Sequence, residues 1–301
     1  MNYYKEIKNE LINNEVYKRV KDYSKNKNEL STYYNVGKLL IEAQGGEDKA
    51  KYGNALIKEY SEKLTNEIGR GYTFSALSRM RQFYLLSEKI ATLSQQLTWS
   101  HYCELLVFDN VDEINYYIKQ TEIYNLSVRE LREKIKSKEY QRLDDNTKLK
   151  LINKEETVVS DFIKNPIVIR NKYNIDKESI TEKILQRLIL EDIPSFLKEL
   201  GDGFTFVENE YKIKIGNTYN YIDILLFNYI YNCFVVIELK VTELKKEHIG
   251  QIQIYMNYVD KNIKIINQDK TIGVIICKKD NGYYIEYSSD NRIFSKNYIF
   301  S

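Results

Sequence analysis

Apolar residues recur at intervals of three and four through the first part of the chain, which is the spacing of one face of an α-helix. One predicted helix ends at Gly45–Gly46, because glycine at this position is a common helix C-cap. Another spans 74–86, and a further helix follows Ser127, where a Ser-x-x-Glu sequence has the form of a capping box. The pattern therefore predicts an all-α domain over residues 1–145.

The pattern changes after residues 146–178, a polar stretch that contains Pro166 and lacks clear periodicity. We interpret this stretch as the segment that connects two domains. From Ile180 onwards, a helix interrupted at Pro194 leads into short apolar runs of the kind found in β-strands. The predicted strands are 204–207, 211–215, 219–227, 233–241, 271–277 and 283–287, with a helix over 247–260.

This order of elements predicts a mixed β-sheet flanked by helices over residues 179–301, and so an α+β protein of two domains. The run IGVIIC, residues 272–277, is apolar throughout, as expected for a strand that is covered on both faces.

Composition narrows the function without deciding it. The net charge of +2 is small for 301 residues and does not by itself require a nucleic-acid partner. Cys103, Cys233 and Cys277 have neither paired nor metal-type spacing, and so odd and sparse a count suits a reducing cytoplasm. No apolar run reaches the length of a membrane span, so no membrane association is expected.

Phosphate-loop and GxSxG motifs are absent from the sequence, which argues against an ATP-driven motor and against acyl transfer.

Three charged residues lie at fixed points in the apolar segment YIDILLFNYIYNCFVVIELK, residues 221–240. Asp223 lies early in one predicted strand, and Glu238 and Lys240 lie at the end of the next. A turn near 229–232 makes Asp223 and Glu238 near cross-strand partners in an antiparallel hairpin, with Cβ atoms about 4.5–5.5 Å apart. Glu238 and Lys240 share one face of their strand because they are two residues apart.

A charge inside a buried strand is costly unless a partner compensates it. Mg²⁺ or Mn²⁺ between Asp223 and Glu238 would relieve their repulsion, and such ions also take phosphate oxygens and water as ligands. Lys240 would then stabilise negative charge on a phosphate, which predicts a divalent-metal nuclease centre. The same spacing also fits a hairpin with a polar end and a Glu–Lys ion pair, because the pattern D-x(14)-E-x-K is loose.

The C-terminal residues resemble the PD-(D/E)xK nuclease superfamily, the fold of many restriction enzymes and Holliday-junction resolvases. The chain from about residue 30 to residue 290 resembles the YhcG-like bacterial family, which joins a helical domain of unknown function to such a nuclease domain. The matching C-terminal segments are ELGDGFTFV, YIDILLF, VVIELK, GQIQIYMNYVD and TIGVIIC. The matching N-terminal segments are GRGYTFSALSRMRQFY, LTWSHYCELL and LSVRELREKI.

The resemblance implies a restriction-endonuclease-like C-terminal domain with a defined set of site residues. Asp223 and Glu238 would be the metal ligands and Lys240 the catalytic lysine. Gln251, on the helix that follows, would lie near the centre and orient a phosphate or a water molecule. Without the resemblance, Gln251 would be interpreted as an exposed helix residue.

The resemblance implies a fourth member of the centre, because many such nucleases also use an acidic residue from the first helix of the domain. Gln186 stands where relatives carry Glu, and Glu182, one helical turn earlier on the same face, is the alternative. This departure leaves open whether the centre is complete.

The resemblance also implies a winged-helix-like N-terminal domain that contacts DNA. Residues 70–87 contain three arginines and no acid, and residues 129–154 contain nine basic and five acidic side chains. Basic helices of this kind can neutralise phosphates, although a solvated charged helix face has the same composition. The candidate nucleic-acid-binding residues are Arg70, Arg79, Arg81, Arg129 and Arg132.

These observations together predict a magnesium-dependent DNA endonuclease, for which a resolvase-like action on branched or duplex DNA is one form. The alternatives are a catalytically degenerate nucleic-acid-binding or interaction protein, and an RNA nuclease. One chain holds one such centre, so a homodimer is one way to cut both strands of a duplex.

Overall fold

The computed structural model describes residues 2–19, 25–46, 54–90, 93–94, 96–279 and 282–301. The chain divides into two compact units, Met1–Tyr140 and Gln141–Ser301. No helix among the described residues is both long enough and apolar enough to cross a membrane.

The first unit is built from helices. They are α1 (Tyr3–Arg19), α2 (Lys25–Ala43), α3 (Asn54–Glu67), α4 (Phe74–Ser87), α5 (Trp99–Leu105), α6 (Val111–Tyr124) and α7 (Val128–Lys136). The described residues of this unit include no strand, which confirms the prediction of an all-α domain. They therefore also contain no β-hairpin of the kind that forms the wing of a winged helix. Helix α7 begins as predicted, because the Ser127 hydroxyl accepts a hydrogen bond from the Glu130 backbone and the Glu130 carboxylate accepts one from the Ser127 backbone.

Helices α2 and α4 approach each other closely at Gly37. A Cβ atom at this position would lie 2.8 Å from Tyr84 Cβ and closer still to the Met80 carbonyl oxygen. Only glycine therefore allows the two helix backbones to pack at this distance.

The second unit contains a six-stranded sheet and five α-helices among its described residues. The helices are α8 (Asp145–Asn153), α9 (Glu182–Leu190), α10 (Ile193–Leu200), α11 (Lys246–Asn262) and α12 (Gly282–Glu286). The strands are β1 (Ile167–Ile169), β2 (Phe204–Ile215), β3 (Thr218–Asn228), β4 (Cys233–Glu243), β5 (Asp269–Lys279) and β6 (Ile293–Phe300). Their order in the sheet is β1-β6-β5-β4-β3-β2.

The sheet is mixed, as predicted. Strands β2, β3 and β4 form antiparallel pairs, whereas β4, β5, β6 and β1 are joined by parallel pairs. Side chains on one face, such as Ile224 and Ile237, pack with Leu185 of α9, and on the other face Val236 packs with Ile252 of α11. Both faces of the central strands are thus covered, which explains their continuous apolar sequences.

Three details of the second unit differ from the sequence-based expectation. Residues 204–207 and 211–215 belong to one strand, β2, which carries an irregularity between Phe206 and Glu208. Residues 283–287 do not form a strand: the run is largely helix α12, and its tyrosines are exposed. The last strand along the chain is instead β6, which pairs with the apolar middle of β5.

The segment 146–178, which we interpreted as connecting two domains, lies within the second unit. It contributes most of α8 and the short edge strand β1, whose residue Ile167 pairs with Tyr298 of β6. Three residues are too short a run to produce a periodic signal in the sequence, and the pairing partner lies far away along the chain.

Gly37→Ala should lower the free energy of unfolding of the first unit by about 1–3 kcal/mol, because the added methyl group overpacks the contact between α2 and α4. Gly250→Ala is the matched control, since Gly250 lies in helix α11 and a Cβ there would meet no atom within 4 Å. This control should be neutral or stabilising by up to about 1 kcal/mol, because alanine is the better helix former. Denaturant unfolding followed by circular dichroism measures both, and a Gly37→Ala protein as stable as wild type would contradict the tight contact.

Candidate active site

The β3–β4 hairpin brings Asp223 next to Glu238. Strand β3 ends at Asn228 and β4 begins at Cys233, so the turn lies where the sequence placed it. The last pair of this ladder joins Ile224 to Ile237, and the next position along the two strands holds Asp223 and Glu238. At this position the Asp223 carboxylate accepts a hydrogen bond from the Leu239 backbone N–H at 2.7 Å, which fixes the carboxylate against β4.

Glu238 is the most deeply buried charged group of this centre, with 2% of its surface exposed. Its Oε1 accepts hydrogen bonds from Lys240 Nζ at 2.9 Å and from Gln251 Nε2 at 2.8 Å. Its Oε2 is buried and has no hydrogen-bond partner among the described residues. A buried carboxylate oxygen without a donor is costly, so this oxygen calls for a proton, a cation or a donor beyond those that the described residues supply.

Lys240 links Glu238 to a second acidic residue. Its Nζ lies 2.9 Å from Glu238 Oε1 and 3.5 Å from Oε2 of Glu182, which is at the start of α9. Glu182, half-exposed, is therefore the acidic residue that α9 contributes to the centre. Its role was left open in the sequence because Gln186, on the same face of the helix, stands where relatives carry Glu.

Gln186 contacts the backbone of the centre and not its charged side chains. It is buried, and its Nε2 donates a hydrogen bond to the Asp223 backbone carbonyl oxygen at 3.0 Å. The side chain thus holds the backbone of β3 at the position where Asp223 leaves the ladder, and α9 supplies both this support and the Glu182 carboxylate.

Helix α11 delivers Gln251 to the same centre. Besides its bond to Glu238, the Gln251 amide donates to the Tyr255 hydroxyl at 3.1 Å, one helical turn further along. Tyr255 is largely buried and fixes the orientation of the amide. Sequence reasoning missed this contact, although the i, i+4 spacing of Gln251 and Tyr255 is the signal that two helix residues can meet.

Burial controls the electrostatics of the centre. It raises the pKa of Glu238 to about 7, with the charge of Asp223 adding to the effect and Lys240 opposing it. Burial also raises the pKa of Asp223, against the hydrogen bond from Leu239 and the charge of Lys240. Although burial alone would lower it, the neighbouring carboxylates, Glu238 foremost, raise the pKa of Lys240. Lys240 is therefore protonated at neutral pH, while Glu238 without a metal takes up a proton readily.

The residues present fit a divalent metal ion of the magnesium type. The bare Glu238 Oε2 and the neighbouring Asp223 carboxylate provide hard oxygen donors, and Mg²⁺ needs only one or two protein carboxylates when substrate and water supply the rest. The described residues contain no group of three or more His, Cys, Asp or Glu side chains arranged to enclose a metal. The donor set thus suits an ion bound together with a substrate more than one caged by protein alone.

The five candidate arginines of the first unit have different environments. Arg70, in the turn before α4, and Arg79, on α4, are exposed. Arg81 is half-buried, its Nη1 lies 3.5 Å from Gln44 Oε1, and burial lowers its pKa. Arg129, on α7, is exposed with Glu133 at 3.6 Å, and Arg132 makes two hydrogen bonds to Glu104 of α5, the shorter at 2.6 Å.

Two of these arginines influence the ionisation of Glu104. The pKa of this carboxyl group is lowered first by the hydrogen bond from Arg132 and further by the charges of Arg132, Arg79 and Lys136. We call Arg79, Arg132, Lys136 and Glu104 the Glu104 cluster: Arg132 is hydrogen-bonded to Glu104, and the charges of Arg79 and Lys136 also lower the pKa of its carboxyl group. Arg81 does not join it, because its guanidinium contacts Gln44 instead.

Two family models match the chain, one for each unit. The DUF1016 N-terminal domain matches residues 9–142, and the YhcG PDDEXK nuclease domain matches residues 160–299. The second unit, with its mixed sheet and its Asp–Glu–Lys centre, is thus a nuclease domain of the PD-(D/E)xK class. The chain thus joins a DUF1016 N-terminal domain to a YhcG PDDEXK nuclease domain, which is the organisation of the YhcG-like family that its sequence resembles.

One curated relative matches most of the chain. The Escherichia coli (strain K12) protein named "Putative nuclease YhcG" is 27% identical, over 82% of this chain and 76% of the relative.

Two solved structures were also matched. A repair endonuclease from Pyrococcus abyssi is 16% identical with a TM-score of 0.29, over 40% of this chain and 47% of that one. The EndoMS-dsDNA2 complex is 19% identical with a TM-score of 0.30, over 39% of this chain and 44% of that one. This chain spans less than half the length of either structure.

The raised pKa of Glu238 predicts how the metal-free protein responds to pH. Because the folded-state pKa lies above the ordinary value of 4.5, the folded protein holds this proton more tightly than the unfolded chain does. Stability should therefore fall as pH rises from about 4.5 through about 7. Glu238→Gln removes this titration, so its free energy of unfolding relative to wild type should increase by on the order of 1–3 kcal/mol between pH 5 and pH 8.

Denaturant unfolding in EDTA at several pH values measures this difference. Glu243→Gln is the matched control, because Glu243 ends the same strand but is exposed. Parallel pH curves for Glu238→Gln and wild type would show that Glu238 does not titrate in this range.

Proposed function

We propose that this protein is a divalent-metal-dependent endonuclease that hydrolyses phosphodiester bonds in DNA. The observation that carries the proposal is the buried Glu238 carboxylate, whose Oε2 lacks a donor among the described residues and which lies beside Asp223 and Lys240. A structural ion pair would need only one carboxylate for Lys240. The buried Glu238 carboxylate, the half-buried Asp223 carboxylate and one lysine leave a net negative charge when both acids are ionised, which a metal ion would neutralise.

Asp223 and Glu238 are the residues that would hold the metal. A bound Mg²⁺ or Mn²⁺ would polarise the phosphodiester and lower the pKa of a water molecule. Lys240, which is protonated, would stabilise the charge that develops on the phosphate oxygens or orient the attacking water. Gln251 would hold Glu238 in place and present its amide to the phosphate or water, with Tyr255 fixing its rotamer.

The position of Glu182 supports an active enzyme over a degenerate one. The departure at Gln186 raised the question whether the acidic residue of the first helix is missing. Glu182 lies 3.5 Å from Lys240 Nζ, so a carboxylate from that helix is present at the centre. Asp223, Glu238, Lys240 and Gln251 also lie together with direct hydrogen bonds among three of them.

We propose further that the first unit positions DNA. The Glu104 cluster carries three positive charges and one negative charge on α4, α5 and α7, and Arg70 and Arg129 add exposed positive charge. Contacts of this kind bind phosphates regardless of sequence. A homodimer would bring two centres to one duplex, and sizing by light scattering with and without DNA tests that arrangement.

Asp223→Asn and Glu238→Gln should each reduce metal-dependent cleavage by about 100-fold or more, since each removes a group that acts on the reacting phosphate. The substrates are labelled duplex, branched and single-stranded DNA and RNA, each with Mg²⁺, Mn²⁺ or EDTA. Glu243→Gln removes a carboxylate from the same strand without touching the centre and should cut like wild type.

Cleavage that both variants retain would assign the activity elsewhere. Binding without cleavage by wild type would indicate a degenerate centre, and cutting of RNA alone would identify an RNA nuclease.

Arg79→Ala with Arg129→Ala should weaken DNA binding and reduce the slope of log Kd against log salt by about 1.8, for two lost phosphate contacts. Fluorescence anisotropy with the full-length protein measures affinity at several salt concentrations. Lys58→Ala with Lys63→Ala removes the same charge from exposed positions on α3 and should change little. An unchanged slope in the arginine variant would overturn the DNA-positioning role of the first unit.

A further inference from the structure

The β2–β3 hairpin extends beyond the rest of the sheet next to the candidate active site. Strand β3 pairs with β4 only as far as Ile224, whereas it continues to pair with β2 down to the rung of Ile215 and Thr218. The two strands are joined by a two-residue turn in which Gly216 has a φ of 61°, a value that favours glycine. Residues 211–222 thus form a two-stranded ribbon.

The two faces of this ribbon differ sharply. Ile213 and Ile222 are fully buried on one side. On the other side Lys212 is paired across the strands with Tyr221, and Lys214 with Tyr219, and all four side chains are exposed. We call these four residues the tyrosine–lysine ribbon.

The tyrosines of the ribbon present their rings to solvent. Tyr219 is 53% exposed and Tyr221 is 51% exposed, which are large fractions for aromatic residues in paired strands. Lys212 Nζ lies 3.9 Å from the centre of the Tyr219 ring, and Lys214 Nζ lies 5.8 Å from it. Cations and rings therefore alternate over one surface.

The ribbon leads directly into the candidate active site. Tyr221 is two residues from Asp223 on the same strand, which corresponds to about 7 Å along the backbone. Residues 211–221 include two lysines and no acid, although Glu208 and Glu210 precede them on β2. A polyanion lying on the ribbon would thus meet positive charge and reach the carboxylates with its next phosphate.

We propose that the tyrosine–lysine ribbon binds an unpaired strand of DNA beside the scissile phosphate, so that the substrate contains a single-stranded segment. This rests on the nuclease function proposed above. Tyrosine rings stack on bases only where the base faces are free, whereas paired bases are stacked on each other. Lysines between the rings neutralise the phosphates that join successive bases. An uninterrupted duplex would offer phosphates to the lysines but nothing to the tyrosines.

Binding of a labelled single-stranded oligonucleotide by the full-length protein in EDTA tests the ribbon without cleavage. Tyr219→Leu with Tyr221→Leu should weaken this binding about tenfold or more, because base stacking on both rings is lost while strand-forming bulk is kept. Affinity for a blunt duplex of the same sequence should change by less than about twofold. Tyr219→Phe with Tyr221→Phe retains the rings and should bind like wild type.

Two further variants complete the test. Tyr283→Leu with Tyr287→Leu is the matched control, since these tyrosines of the same unit are 71% and 80% exposed but lie outside the ribbon. Lys212→Gln with Lys214→Gln should reduce the slope of log Kd against log salt for the single strand by about 1.4.

The proposal is overturned if wild type does not bind the single strand, if the leucine variant of the ribbon binds it as wild type does, or if single strand and duplex weaken equally. A different measurement tests the nuclease proposal: if that proposal is wrong, the wild-type protein shows no metal-dependent cleavage. Loss of cleavage of a branched substrate, but not of binding to duplex, in the leucine variant would support the ribbon within a working enzyme.

Discussion

The register between β3 and β4 is the constraint on which the candidate centre depends. Side chains alternate between the two faces of a strand, so a slip of one residue would move Glu238 and Lys240 to the opposite face from Asp223. The pairing of Ile224 with Ile237 prevents this slip, because both side chains must remain in the apolar layer beneath α9. Packing of neutral side chains thus holds two repelling carboxylates together, and Lys240 and Gln251 compensate part of the repulsion.

The central geometry of this site is accessible from sequence because it is local. A turn and two strands within twenty residues decide that Asp223 and Glu238 are adjacent, and charges in otherwise apolar strands are visible in the sequence itself. The contributions of distant helices are not visible in the same way. The contact between Lys240 and Glu182 depends on how α9 rotates against the sheet, and the half-buried position of Arg81 depends on how α4 packs.

In the fold, too, features that depend on nearby residues could be predicted from the sequence, and features that depend on distant residues could not. The fold class, the central β3–β4 hairpin, helix α11 and strand β5 could be predicted, since long apolar runs or helical spacing mark each of them in the sequence. The edge of the sheet could not be: residues 283–287 have strand-like composition but no neighbouring strand to pair with, and they form helix α12 instead. Strand β1 has only three residues, and it is a strand of the sheet only because it pairs with β6.

The position of β6 has a consequence for synthesis of the chain. This strand lies between β1 and β5 in the sheet, although it is translated after both. At typical elongation rates, β1 emerges from the ribosome on the order of ten seconds before Tyr298, its partner for Ile167. During this interval the backbone hydrogen-bonding groups of β1 and of one edge of β5 have no partner strand. The nascent nuclease domain therefore exposes two unpaired strand edges, which can pair with other chains, until β6 is inserted between them.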